Sequence, residues 1–191
     1  MAAECQFPTD SGYNWRRMTD EIEAVLGPRR DVLGADYTPY FNHVCRVAHF
    51  CRALHPGDGD VLRRIVIAAC FHDLGIWPSL TLDYLPPSVA LARDYLNAND
   101  RADWVEEVGL MIDEHHRMTP ARASRFPLVE AFRKADLIDV TLGMVRFGLP
   151  AGEVAEVRRR FPNAGFHLRL VRLGVGWIPW HPLRPLPFLR W

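Results

Sequence analysis

The stretch LRRIVIAACFHDLG, residues 62–75, decides how this chain folds. Its centre, Ile65 to Phe71, is apolar on every side, and no alternation of period two runs through it. Such a helix has no face for water and belongs in the middle of a bundle. The pattern opens it behind Asp58 or Asp60 as N-cap and carries it to Gly75 as C-cap. The apolar run then ends in His72 and Asp73. A carboxylate there is disfavoured twice, by the negative end of the helix dipole and by neighbours that keep water away. A divalent cation would compensate it directly, with the His72 imidazole as companion ligand. On the doublet alone, an arginine partner for Asp73 and a hydrogen-bonded core histidine explain the pattern as well.

Working outward, apolar residues recur at steps of three and four almost throughout, so the fold class is all-α, a single helical bundle. The spacing predicts helices over 14–26, ended by Gly27-Pro28, and from about Pro39 to Leu54. Ser88 is read as the cap of VALARDYLNA, and Asp100 as the cap of the helix carrying WVEEVGLMIDEHH, with a loop over 76–87. A long helix follows Ser124, with Pro127 in its first turn, and ends at Gly148 and Pro150. A short helix over 151–160 precedes the tail GWIPWHPLRPLPFLRW, whose prolines bar a helix and whose tryptophans predict packing on the body. The expected division is an N-terminal segment over 1–36, a core over 37–147 and a C-terminal segment over 148–191.

Other residues repeat the anomaly of the doublet. His43 falls on the buried face formed by Tyr40, Val44, Val47 and Cys51. Val105, Val108 and Ile112 project their stripe onto His115 and His116. In the long helix, Asp136 interrupts an apolar face that includes Val129, Phe132, Val140, Gly143 and Phe147, while Asp139 lies on a neighbouring stripe. One of two aspartates facing a core needs a cation or an arginine. Three histidine-bearing core faces and two buried aspartates together describe a mixed nitrogen and oxygen site between facing helices.

Composition bounds the partners. The 191 residues suffice for one core, and 23 basic side chains balance 23 acidic ones, so no net field recruits a nucleic-acid polymer or a membrane surface. Cys5, Cys45, Cys51 and Cys70 follow no metal or redox spacing and read as free thiols, three of them in apolar runs. No segment has signal-peptide or membrane-spanning character, so a cytoplasmic protein with a small-molecule substrate is expected. A homo-oligomer stays open.

The motifs resemble those of the HD superfamily of metal-dependent phosphohydrolases, in which an isolated His precedes a His-Asp doublet and a distant Asp. Here these are His43 within YFNHVCRV, His72 and Asp73 within ACFHDLG, and Asp136 within RKADLID, where the Ala-Asp context selects Asp136 over Asp139. The resemblance covers residues 37–147. It implies one divalent transition metal (Mn, Fe, Co, Ni or Zn) on His43, His72, Asp73 and Asp136, and a metal-activated water as nucleophile. Asp73, His115 and His116 are then the catalytic acid and base candidates, and Arg46 and Arg117 the candidates for a phosphate clamp. Two-metal members draw extra histidines from two separate positions between the doublet and the last Asp, and only the adjacent pair His115-His116 is present here. EHHRMTPAR also lacks the Gly-Tyr-Pro signature of the cyclic-di-GMP branch. A small phosphoester or nucleotide-like substrate is the leading expectation. The alternatives are hydration or hydrolysis of a small uncharged molecule, as in the cyanamide-hydratase-like branch that the HDLG motif and the DYL loop resemble, and a non-catalytic binding module.

Overall fold

A computed structural model describes residues 15–57, 59–79, 81–121, 125–177, 179, 183 and 187–189. Among the described residues ten α-helices follow one another and no strand element occurs. They are α1 (Trp15–Leu26), α2 (Arg30–Leu33), α3 (Tyr37–Leu54), α4 (Asp60–Phe71), α5 (Ile76–Ser79), α6 (Leu85–Ala98), α7 (Val105–Asp113), α8 (Pro127–Val140), α9 (Ala151–Arg160) and α10 (Phe166–Trp177).

The all-apolar run becomes the central helix, as its lack of a polar face requires. Residues Ile65 to Phe71 are all buried, and α4 packs against α1, α3, α6 and α7. On one side α3 packs extensively along α8, so that the faces bearing His43 and Asp136 meet. Tyr40 ties α3 to α4 by donating its hydroxyl hydrogen to the Cys70 carbonyl at 3.0 Å. Cys45, Cys51 and Cys70 are buried free thiols. None of the described helices is long and apolar enough to cross a membrane.

Several boundaries differ from the sequence pattern, each for a local reason. Gly59, at φ 54°, holds the position before α4, and Asp60 is the first helical residue; Asp58 lies outside the described residues. The helix ends at Phe71, so His72 and Asp73 sit in the turn that follows. Gly75 serves close approach rather than capping. A Cβ there would lie 2.5 Å from the Tyr84 carbonyl oxygen and 2.8 Å from the Ser88 nitrogen. Ser88 is not an N-cap, because Pro86 and Pro87, which lack N–H groups, occupy the first turn of α6. Its hydroxyl instead accepts the Gly75 N–H at 2.9 Å. Asp100 takes φ 56° and a single 3-10 turn, Ala102–Trp104, leads into α7.

The longest departure is in α8, which stops at Val140 rather than Gly148. Leu142 (φ 56°) and Gly143 (φ 82°) reverse the chain, and the Gly143 N–H reaches back to the Ile138 carbonyl at 2.8 Å. Phe147 therefore leaves the buried stripe, and both it and Val140, the last residue of α8, are exposed. The Ser124 cap lies outside the described residues. Helix α10 had no counterpart in the sequence reading, and it carries the chain through Gly176 and Trp177, where a non-helical tail was expected. Of that tail, Pro187 is buried and Phe188 packs its ring on Tyr84 and His116.

Gly75→Ala is expected to lower stability by about 1–3 kcal/mol, because both atoms it would strike are backbone and cannot swing aside. Thermal melting checks this; an unchanged melting temperature would show that the junction between the His-Asp turn and α6 is loose.

Candidate metal centre

Four side chains from three places in the chain converge at the centre of the bundle. His43 comes from mid-α3, His72 and Asp73 from the turn after α4, and Asp136 from α8, and all four are buried. The Nε2 atoms of His43 and His72 stand 2.9 Å apart. Asp73 Oδ2 lies 3.6 Å from the first and 3.4 Å from the second. Asp136 Oδ1 lies 3.7 Å and 3.8 Å from the same two nitrogens. Donors bound at about 2.1 Å to one ion, at right or tetrahedral angles, stand roughly 3.0–3.4 Å apart, so the cluster is close to coordination size.

The far side of each imidazole decides what the near side can do. His72 Nδ1 is 2.8 Å from the Ala69 carbonyl oxygen, which only accepts, so the proton sits on Nδ1 and a lone pair on Nε2. His43 Nδ1 is 2.7 Å from Asp139 Oδ2 and is fixed in the same way. His115 repeats the arrangement, with Nδ1 2.6 Å from the Ile112 carbonyl oxygen. Its Nε2 lies 3.4 Å from Asp73 Oδ1, and neither atom has a hydrogen-bond partner. Acceptors therefore face acceptors in a dry interior, an arrangement that a cation relieves. His43, His72 and Asp73 form one group of metal-ligand geometry, and Asp73, His115 and His116 form a second that shares the Asp73 carboxylate.

Without a cation, protons take up part of the strain. Burial opposes charge on His43, but the carboxylates of Asp139 and Asp73 outweigh it and raise its pKa to about 9. The imidazolium then donates Nε2–H to the lone pair of His72, which burial holds neutral at a pKa of about 3. Burial also raises Asp136 to about 6.

Asp139, one turn beyond Asp136, does not join the cluster. It orients His43 from behind and is itself held by Arg46, through Nε at 2.5 Å and Nη2 at 2.8 Å. Arg46 is 1% exposed, and its Nη1 also donates to the Phe161 and Pro162 carbonyl oxygens at 3.0 and 3.3 Å. This corrects the phosphate-clamp role expected of it: every nitrogen is engaged, and its charge balances Asp139. The sequence pattern missed that role because an arginine one turn from a core histidine reads equally well as surface. Arg117 sits at the rim, bonded to Glu114 Oε2 at 2.6 Å and to the Thr119 hydroxyl at 3.2 Å.

His115 and His116 lie in the turn after α7, not on the helix as the stripe implied. His116 Nδ1 is 3.8 Å from Asp136 Oδ2, and its Nε2 is 2.6 Å from the Tyr84 hydroxyl. Tyr84, from the DYL loop, is a site residue that no spacing rule pointed to. Phe166 was missed as well; it stacks on His43 at 4.1 Å, and Phe188 packs on His116 at 4.8 Å.

A family model described as HD domain matches residues 40–142, more than half of the chain. The chain belongs to the HD-domain family. No curated protein and no solved structure matches it significantly. The family match spans all seven of His43, His72, Asp73, His115, His116, Asp136 and Asp139, and an HD domain is generally a metal-dependent hydrolase domain.

Three measurements probe the centre. A metal has to displace the His43 proton, so apparent affinity should rise about tenfold per pH unit from neutrality towards pH 9 and then level off. Calorimetry in buffers of different ionisation enthalpy should show about one proton released per ion at neutral pH; a pH-independent affinity would contradict the assignment. Asp139→Asn should weaken metal binding by roughly ten- to a hundred-fold, read by chelator competition, because it loosens the orientation and basicity of His43 without removing a ligand.

Proposed function

We propose that the protein is a metal-dependent hydrolase that directs activated water at a small phosphoester or nucleotide-like substrate. The observation carrying this reading is the facing of three fixed Nε2 lone pairs and two carboxylates in an HD domain. His43, His72, Asp73 and Asp136 would hold one divalent ion, with manganese, iron, cobalt, nickel and zinc all compatible with the donor set. Bound there, such an ion acidifies water and polarises a phosphoryl oxygen.

The chain's own groups supply the rest. Asp73 presents Oδ2 to the two ligand histidines and Oδ1 towards His115, so its second oxygen can accept a proton from water. His116, 3.8 Å from Asp136, and Tyr84, joined to it at 2.6 Å, are placed to carry a proton to or from the centre. Phe166 and Phe188 close the surroundings with aromatic surface and exclude bulk water, which strengthens every charge interaction inside.

Two specific observations favour variants of this reading. The second group of ligand atoms, on Asp73, His115 and His116, would be able to hold a second ion, and His115 would then be a ligand rather than an acid or base. Arg46 is buried with every nitrogen engaged by the protein, which leaves Arg117 at the rim as the remaining clamp candidate and favours a small uncharged substrate hydrated by the same water.

Metal analysis of the purified protein, with an assay panel of nucleotides, generic phosphoesters and cyanamide, separates these readings. In the one-ion case, His115→Ala lowers turnover by about a hundred- to ten-thousand-fold and leaves metal content at one per chain. A fall from two equivalents to one in that variant would assign His115 as a ligand. Full metal retention in His72→Ala and Asp73→Ala would overturn the metal assignment itself.

A further inference from the structure

The net charge of zero conceals an asymmetry along the chain. From Val157 to Trp191 there are seven arginines and no acidic residue, so the preceding residues carry a matching excess of acids. An argument from total charge therefore does not apply to this segment.

Within it, α10 is apolar on two opposite faces. Its inner face is set by Phe166, buried against His43, and Leu170, packed on the core. On the outer face, Leu168, Val171 and Val175 follow steps of three and four and are 53%, 61% and 66% exposed. Nothing inside the described protein covers them. Arg172 is exposed beside this stripe, and Arg169 lies further round the same flank, its Nε 3.0 Å from Asp36 Oδ2. The sequence beyond the helix adds Arg184 and Arg190 together with Trp180 and Trp191, and Leu183 is 95% exposed.

We propose that the outer face of α10 docks on an anionic bilayer surface, with Leu168, Val171 and Val175 entering the headgroup boundary and Arg172, exposed beside them, facing acidic lipid. An amphipathic helix with arginine beside an exposed apolar stripe is the combination that binds in the plane of an interface, and tryptophans follow it in the sequence. A second copy of the chain fits less well. Two such faces would bring like charges together, and three side chains fall far short of the roughly 800 Å² per partner that a stable interface buries. The charge complement required is negative, and a bilayer supplies it together with apolar depth.

Vesicle co-sedimentation tests this with the full chain. The protein should pellet with phosphatidylcholine vesicles containing about one quarter phosphatidylglycerol, remain in solution with phosphatidylcholine alone, and be released by high salt. Arg172→Gln should weaken binding about fivefold. The combined Leu168→Ser, Val171→Ser and Val175→Ser variant should lose it at an unchanged melting temperature, since these side chains already lie in water. If that variant does not fold, Arg172→Glu at the same helix serves instead and should abolish binding. Absence of binding to anionic vesicles, or undiminished binding by the serine or glutamate variant, overturns the proposal. So does a dimer, seen by light scattering, that the serine variant dissolves, because it would assign the face to a second copy.

Discussion

Two imidazole nitrogens held 2.9 Å apart in the dry centre of the bundle, each with its proton fixed on the opposite side of the ring, form the contact on which the rest of the site depends. Lone pairs in that position repel unless a proton or a cation lies between them, and two carboxylates nearby add to the demand for positive charge. The surrounding groups serve to keep those lone pairs pointed inward. The Ala69 and Ile112 carbonyls do so for His72 and His115 with main-chain atoms, which no side-chain substitution removes. Asp139 does so for His43 with a charge, and that charge in turn requires Arg46.

This hierarchy explains why the centre is built where three helices meet rather than along one of them. A histidine just past the end of α4 has a backbone carbonyl one turn behind it, ready to accept its Nδ1–H; the same is true of His115 after α7. His43 sits in the middle of α3, where every main-chain carbonyl is already bonded, so its orienting acceptor has to come from another helix. Asp139 on α8 supplies it, and the extensive α3–α8 packing keeps that bond short. The carbonyls of Phe161 and Pro162, just past α9, then hold the far end of Arg46. The site is thus also tied, through Arg46, to the C-terminal part of the chain.

Much of this was legible before any coordinates. An apolar run with no polar face has only one place in a helical bundle, and a His-Asp doublet at its end, His43 on a buried face and Asp136 within an apolar stripe each signal buried charge without a local partner. Boundaries were less legible. Gly143 read as one more small residue on the stripe, whereas its positive φ ends α8; Ser88 read as a cap, although two prolines already occupied the first turn of α6.

The sequence by itself determined the fold class, the family and the residues whose side chains cannot be buried alone, because periodicity and composition act locally and are complete in the chain. Tertiary structure decided how those residues divide their duties: that Asp139 stands behind His43 while Asp136 faces the centre, that Arg46 balances a carboxylate instead of meeting substrate, that Tyr84 reaches His116, and that Asp73 is shared by two ligand groups. These are choices of partner among groups separated by up to about a hundred residues, set by how the helices pack against one another. No periodicity along one helix encodes which side chain arrives from another.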